Sequence, residues 1–175
     1  MKKCLIVVDF QNDFIDGALG FIGADSIKDN IIKKIQEYKN CKMDIIYTLD
    51  THNIDYLETE EGKNLPVVHC VKGTHGHQIN KDVQKLIEDT DKQFIKYSFP
   101  SLELGNYLKV QNYEEIELCG LVSNICVVSN AIIAKSALPN AHIVVDSLAT
   151  KSFDPILHEK ALDVMEGLHI EVKNR

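Results

Sequence analysis

The chain has 175 residues, 45% hydrophobic and 26% charged, with a formal net charge of −7, a length that suits one domain with a full core. The acidic balance and the lack of a Lys/Arg run argue against a nucleic-acid binder, and no apolar stretch is long enough to span a bilayer. Met1, Lys2 and Lys3 precede only five apolar residues before Asp9, which reads as a strand and not as an export signal.

Residues 4–8 form that first strand, ending at Asp9. After a loop over 13–25, Ile27, Ile31, Ile32 and Ile35 recur at helical spacing within residues 26–38, with Ser26 as N-cap. Residues 44–48 read as a second strand. The irregular stretch 49–77 that follows exceeds ordinary connection length, which marks a functional loop. Residues 79–88 read as a helix, 93–96 as the third strand and 101–108 as a short helical piece. The fourth strand is 115–118, and a helix over about 125–137 ends before Pro139. Residues 142–145 are the fifth strand, 155–166 a helix with Pro155 in its first turn, and 169–172 the sixth strand. This alternation predicts an α/β fold. Residues 1–175 form a single domain of three αβα layers, Rossmann-like, around a mostly parallel sheet of about six strands.

In such a sheet the carboxyl ends of the strands share one edge, where ligands bind. Asp9 follows the first strand, Lys96 ends the third, and Cys126 follows the fourth through Gly120 to Ile125. The topology thus gathers an acid, a cation and a thiol, the set a cysteine hydrolase needs. Singly, each has a plainer reading: Asp9 as a capping carboxylate, Lys96 as a snorkelling surface lysine, Cys126 as a buried structural thiol. Together they favour a nucleophile at a helix start, where the dipole and free N–H groups lower a thiol's pKa and can bind an oxyanion. With Cys4, Cys41, Cys70 and Cys119 the cysteines number five. They follow no disulfide or zinc-finger spacing, which fits a reducing cytoplasm.

Asp50 and His52, on an Asp-x-His spacing, and the later His69 offer one carboxylate and two imidazoles. That set suits Zn2+, Fe2+ or Mn2+, although on spacing alone ordinary loop residues are the better reading. His75 and His77 read as solvated loop residues, and Asp146 as a turn or capping carboxylate at the end of the fifth strand.

Two segments carry a resemblance. Leu5-Ile6-Val7-Val8-Asp9-Phe10-Gln11-Asn12-Asp13-Phe14 and Gly120-Leu121-Val122-Ser123-Asn124-Ile125-Cys126-Val127 resemble the opening and nucleophile motifs of the isochorismatase-like cysteine hydrolases, nearest the nicotinamidase/pyrazinamidase branch. The resemblance implies that Asp9 takes the Cys126 thiol proton and passes it to departing ammonia, while Lys96 holds Asp9 charged. Cys126 would attack a carboxamide and form a thioester. A cis Leu121–Val122 bond is implied too, turning the Val122 N–H toward the oxyanion beside that of Cys126.

The same resemblance implies a divalent metal at Asp50, His52 and His69, with Zn2+ placed first, and a fourth ligand from Glu61 or else Glu58. Cys70 would lie outside the coordination shell. Phe14 matches one aromatic wall of the substrate pocket. Leu65 and Ile125 stand where relatives carry aromatic residues, Asn124 stands for an acid, and the chain has no tryptophan. The implied activity is hydrolysis of nicotinamide to nicotinate and ammonia by a homo-oligomer, with a small-molecule substrate and no nucleic-acid or membrane partner. The alternatives are another small amide or carbamoyl compound under the same mechanism, and a non-catalytic module that binds a small ligand or a metal. A redox role is weakened by the lack of a Cys-x-x-Cys pair.

Overall fold

The first strand is apolar on both sides because it lies at the centre of the sheet. A computed structural model describes residues 2–175. In it, β1 (Lys3–Val8), β2 (Asp44–Asp50), β3 (Lys92–Lys96), β4 (Glu115–Leu121), β5 (His142–Lys151) and β6 (Glu171–Lys173) form one sheet in the order β3-β2-β1-β4-β5-β6. Every pairing is parallel, so both faces need a covering of helices.

Leu5 and Val7 of β1 join a core with Ile31, Ile35 and Tyr38 of the helix Lys28–Asn40. Cys4, Ile6 and Val8 join the opposite core, with side chains from Leu102–Lys109, Val128–Ala137 and Pro155–Gly167. In chain order the α-helices are α1 (Asn12–Ile15), α2 (Lys28–Asn40), α3 (Glu60–Asn64), α4 (Lys81–Gln84), α5 (Leu102–Lys109), α6 (Val128–Ala137) and α7 (Pro155–Gly167). Among the described residues no helix is long and apolar enough to cross a membrane. Polar caps mark several helix starts. Ser101 accepts from the Leu104 N–H, and Asp154 from those of Ile156 and Leu157, satisfying donors that have no partner inside the helix.

Three expectations are corrected. Ser26 does not cap α2; its hydroxyl donates to the Gly23 carbonyl inside a 3-10 turn over Ala24–Ile27, and α2 starts after it. The helix expected over 79–88 shrinks to α4, because Asn80 caps at the Asp82 N–H and the backbone then turns away. The fifth strand does not end before Asp146, although this carboxylate does make the turn contact expected of it, to the Leu148 N–H. β5 runs on to Lys151 past an irregularity in its pairing with β4, and Asp146 is buried within it. There it pairs with Lys34 and accepts from Asn174 Nδ2 at 2.9 Å and the Leu148 N–H at 3.0 Å.

The chain leaves β1 toward β2 on one side, while β4 lies on the other. The crevice at this change of direction, beyond the carboxyl ends of the strands, is where an open α/β sheet holds its ligands. Asp9, Asp50, Lys96 and the turn bearing Cys126 all emerge there.

Candidate active site

Asp9 follows β1 with φ 44°, a left-handed conformation that is strained for a residue with a Cβ. Two contacts hold it. Its N–H donates to the Thr48 carbonyl at 3.2 Å, and the Thr48 hydroxyl donates to Oδ1 at 2.7 Å. Oδ2 lies 2.7 Å from Lys96 Nζ. Lys96 ends β3 opposite Asp50 of β2, and its ammonium also donates to Asp50 Oδ1 at 3.1 Å and the Ser98 carbonyl at 3.1 Å. Cys126 Sγ lies 3.5 Å from the same nitrogen. The acid, cation and thiol that the strand pattern brings to one edge are therefore in direct contact.

Cys126 is delivered by β4 and the turn after it. Gly120 has φ 113°, and a Cβ there would stand 2.0 Å from the Val8 carbonyl oxygen. Only glycine permits that approach. The Leu121–Val122 peptide bond is cis, in accord with the resemblance. A π-helical turn over Ser123–Val127 then leads into α6. Ser123 Oγ meets His158 Nδ1 of α7 at 2.8 Å, and Asn130 Nδ2 donates to the Cys126 carbonyl at 2.8 Å. Both ends of the turn are thus fastened to neighbouring helices.

The expected lowering of the thiol pKa is not what this environment produces. Cys126 sits in the turn ahead of α6 and is only 4% exposed. Burial pushes its thiol well above the ordinary value. Lys96 pulls it down, while Asp9 and Asp50 push it further up. Burial raises Asp9 as well, against the opposing pull of Lys96. Lys96 moves the other way from a buried amine: burial favours its neutral form, but Asp9, Cys126 and Asp50 outweigh that and keep it charged. Burial thus raises both the thiol and the carboxylate of the pair, and Lys96 opposes the rise in each.

Asp50 turns its other oxygen toward the histidines. Oδ2 lies 3.0 Å from His52 Nε2 and 3.3 Å from His69 Nε2, and Glu61 Oε1 lies 3.6 Å and 3.7 Å from the same two nitrogens. Donors held about 2.1 Å from a shared ion stand about 3.0–3.5 Å apart, so the four converge as ligands of one ion would. His69 supports the fit: its Nδ1–H donates to the Val67 carbonyl at 2.7 Å, so Nε2, which faces Asp50, is the atom this ring would offer to an ion. Burial works against charge on Asp50, but bonds from His52 and His69 and the charge of Lys96 hold it well below the usual carboxylate range. Burial and the nearby Asp50 raise Glu61. A cation between them would relieve that repulsion. Glu58 is exposed on the 3-10 turn Tyr56–Glu58 and takes no part.

Phe14 is buried with its ring edge-on to His69, centroids 5.7 Å apart. Ile125 is partly buried and touches both cores beside Cys126, and Val122 is buried. Leu65 is half-buried at the end of α3, and its carbonyl accepts from the Tyr56 hydroxyl at 2.9 Å. No sequence motif singles out Tyr56. It is fully buried, with its ring 4.5 Å from that of His52 and 5.0 Å from that of His69. An aromatic residue between two ligand candidates inside a long loop was the available signal. His77 is not a solvated residue either: it is half-buried, and its Nε2 meets the Thr51 hydroxyl at 2.8 Å.

Known proteins share this arrangement of the chain. The nicotinamidase of Saccharomyces cerevisiae is 25% identical over 99% of this chain and 100% of its own length. The nicotinamidase/pyrazinamidase of Bacillus subtilis superimposes with a TM-score of 0.87 at 27% identity, covering 98% of this chain and 99% of that one. The pyrazinamidase of Pyrococcus horikoshii, solved in complex with zinc, shares the fold with a TM-score of 0.86 at 24% identity, covering 98% of both chains. The isochorismatase domain model matches residues 3–173, nearly the whole chain and both strand-end motifs, and on that ground the chain belongs to the isochorismatase domain family.

Proposed function

We propose that this amidohydrolase of the isochorismatase family, acting as a single domain over residues 1–175, is a metal-containing cysteine enzyme that hydrolyses nicotinamide to nicotinate and ammonia. One observation carries the reading: a single buried ammonium, Lys96 Nζ, lies 2.7 Å from Asp9, 3.5 Å from Cys126 and 3.1 Å from Asp50. Base, nucleophile and metal carboxylate share one cation, an arrangement with no use in a passive module.

Asp9 accepts the thiol proton as Cys126 Sγ attacks the carboxamide carbon. Its burial-raised pKa suits that task better than an ordinary surface carboxylate. The backbone N–H groups of Val122 and Cys126 receive the oxygen that becomes negative. When the C–N bond breaks, the proton on Asp9 goes to the departing nitrogen, and ammonia leaves a thioester on Cys126. Water then attacks the thioester with Asp9 again as base, releasing the carboxylate product and restoring the thiol. Lys96 stays charged throughout and keeps Asp9 and Cys126 in register. Asp50, His52, His69 and Glu61 would hold a divalent ion, Zn2+ before Fe2+ or Mn2+, which supplies a binding point for the ring nitrogen of the substrate. Phe14, Leu65 and Ile125 line the space for the ring.

The aliphatic Leu65 and Ile125, in a chain without tryptophan, favour a second reading under the same mechanism: another small amide or a carbamoyl compound. Stacking contributes about 0.5–1.5 kcal/mol beyond burial, so the missing aromatic walls weaken ring selectivity and leave the acyl chemistry untouched. Ammonia release from nicotinamide by purified protein of known metal content decides between them, with Cys126→Ala as control. Rapid Cys126-dependent release establishes nicotinamidase activity. No release from a metal-loaded, folded protein sinks it and leaves the other amides.

A further inference from the structure

The three residues between Phe10 and Phe14 all reach across to the loops that carry the proposed metal ligands. Gln11 is fully buried, and its amide closes on the backbone of Asp50. Oε1 accepts from the Asp50 N–H at 2.8 Å, and Nε2 donates to the Asp50 carbonyl at 2.9 Å and the His77 carbonyl at 2.7 Å. This is the pairing that a neighbouring strand would provide, made here by a side chain just where β2 ends. It fixes the backbone from which the Asp50 carboxylate projects.

Asp13 does the same for the histidines. Its Oδ2 accepts from the Cys70 N–H at 2.7 Å and its Oδ1 from the Ala18 N–H at 3.1 Å. Cys70 directly follows His69, is held in the left-handed region at φ 45°, and its carbonyl accepts from the His52 N–H at 3.0 Å. One carboxylate thus grips the residue whose backbone links the two histidines. The loop closes over it: a Cβ on Gly76 would stand 2.0 Å from Asp13 Oδ2, the Asp13 N–H donates to the Gly76 carbonyl at 3.0 Å, and Asn12 Nδ2 donates to the His75 carbonyl at 2.9 Å.

We propose that Gln11 and Asp13 are positioning residues for the metal-binding set, Gln11 acting through the backbone of Asp50 and Asp13 acting through Cys70 on His52 and His69. The inference rests on the metal reading given above. Neither side chain donates to the ion. Each holds in place the backbone that carries a ligand, so their loss loosens the ligand geometry rather than removing a ligand.

The test is the Zn2+ dissociation constant by competition with a chromophoric chelator, together with the visible spectrum of the Co2+-loaded protein. Wild type is compared with Gln11→Glu, which keeps the acceptor and loses the donor, with Asp13→Asn, and with His52→Ala. Each positioning variant is expected to bind Zn2+ about 10- to 100-fold more weakly and to alter the Co2+ absorption, with the metal-free unfolding midpoint close to wild type. Affinities within twofold of wild type in both variants, while His52→Ala weakens binding, would overturn the inference and leave the metal site standing. A wild type that binds no better than His52→Ala overturns the metal reading and this inference together. If Asp13→Asn fails to fold, Gly76→Ala crowds the same carboxylate from the loop side. The same loss is expected there, and unchanged affinity refutes the role of Asp13.

Discussion

Lys96 Nζ lies 3.1 Å from Asp50 Oδ1, so the cation that pairs with Asp9 is also bound to a carboxylate of the proposed metal set. The two halves of the site meet at this contact. Asp50 divides its oxygens, one toward Lys96 and the other toward His52 and His69.

Removing the shared cation leaves two buried carboxylates without their partner. Lys96→Met is expected to abolish turnover and to cost about 3–5 kcal/mol of stability, the range for breaking a buried ion pair from one side. Urea unfolding of the purified variant measures it. A change below about 1 kcal/mol would mean that Asp9 and Asp50 are not held by Lys96.

Asp9→Asn keeps the shape of the base and removes its proton affinity. The fold should persist, because Thr48 can still donate to the side-chain oxygen. Turnover should fall by a factor of about 10^2–10^4, the usual contribution of a positioned base. Steady-state kinetics on the folded variant checks this, and near-wild-type turnover would remove Asp9 from the mechanism.

Burial makes Cys126 a protected thiol at rest. Under limiting iodoacetamide the exposed Cys41 should be alkylated first and the buried Cys126 well after it. Peptide mass spectrometry at short times reads the order directly. Cys126 reacting ahead of Cys41 would show an accessible thiolate and contradict the shielding by burial.

Acid sensitivity has a source remote from the site. Burial opposes charge on Asp146, but bonds from Asn174 and Lys34 prevail and hold its carboxyl below the usual range. Its folded pKa is below its unfolded value of about 3.9, so this stabilisation is fully present above the unfolded pKa and disappears as pH falls through the folded one. Asp146→Asn should therefore cost about 2 kcal/mol at pH 7, with a gap from wild type that narrows as pH falls below the unfolded pKa. Chemical denaturation at several pH values checks it, and a constant gap would contradict the assignment.

Much of this molecule was determined by the sequence itself. Apolar runs alternating with amphipathic segments leave few ways to bury both faces of a parallel sheet, and that alternation dictated the layers and the edge where Asp9, Lys96 and Cys126 emerge. Spacing alone did not single out Asp50, His52 and His69; the motif resemblance did. Tertiary structure alone decided the rest. No local pattern records that Lys96 reaches Asp50 as well as Asp9, since the two meet across neighbouring strands whose register local sequence does not state. Tyr56 against both imidazoles, Asp146 against Lys34 and Gln11 against the backbone of Asp50 depend on loops whose path is set by contacts distant along the chain. Burial set the direction in which the Cys126 thiol is shifted: a helix start favours a thiolate, but exclusion of water raises the cost of that charge, and only the packed structure shows how complete the exclusion is.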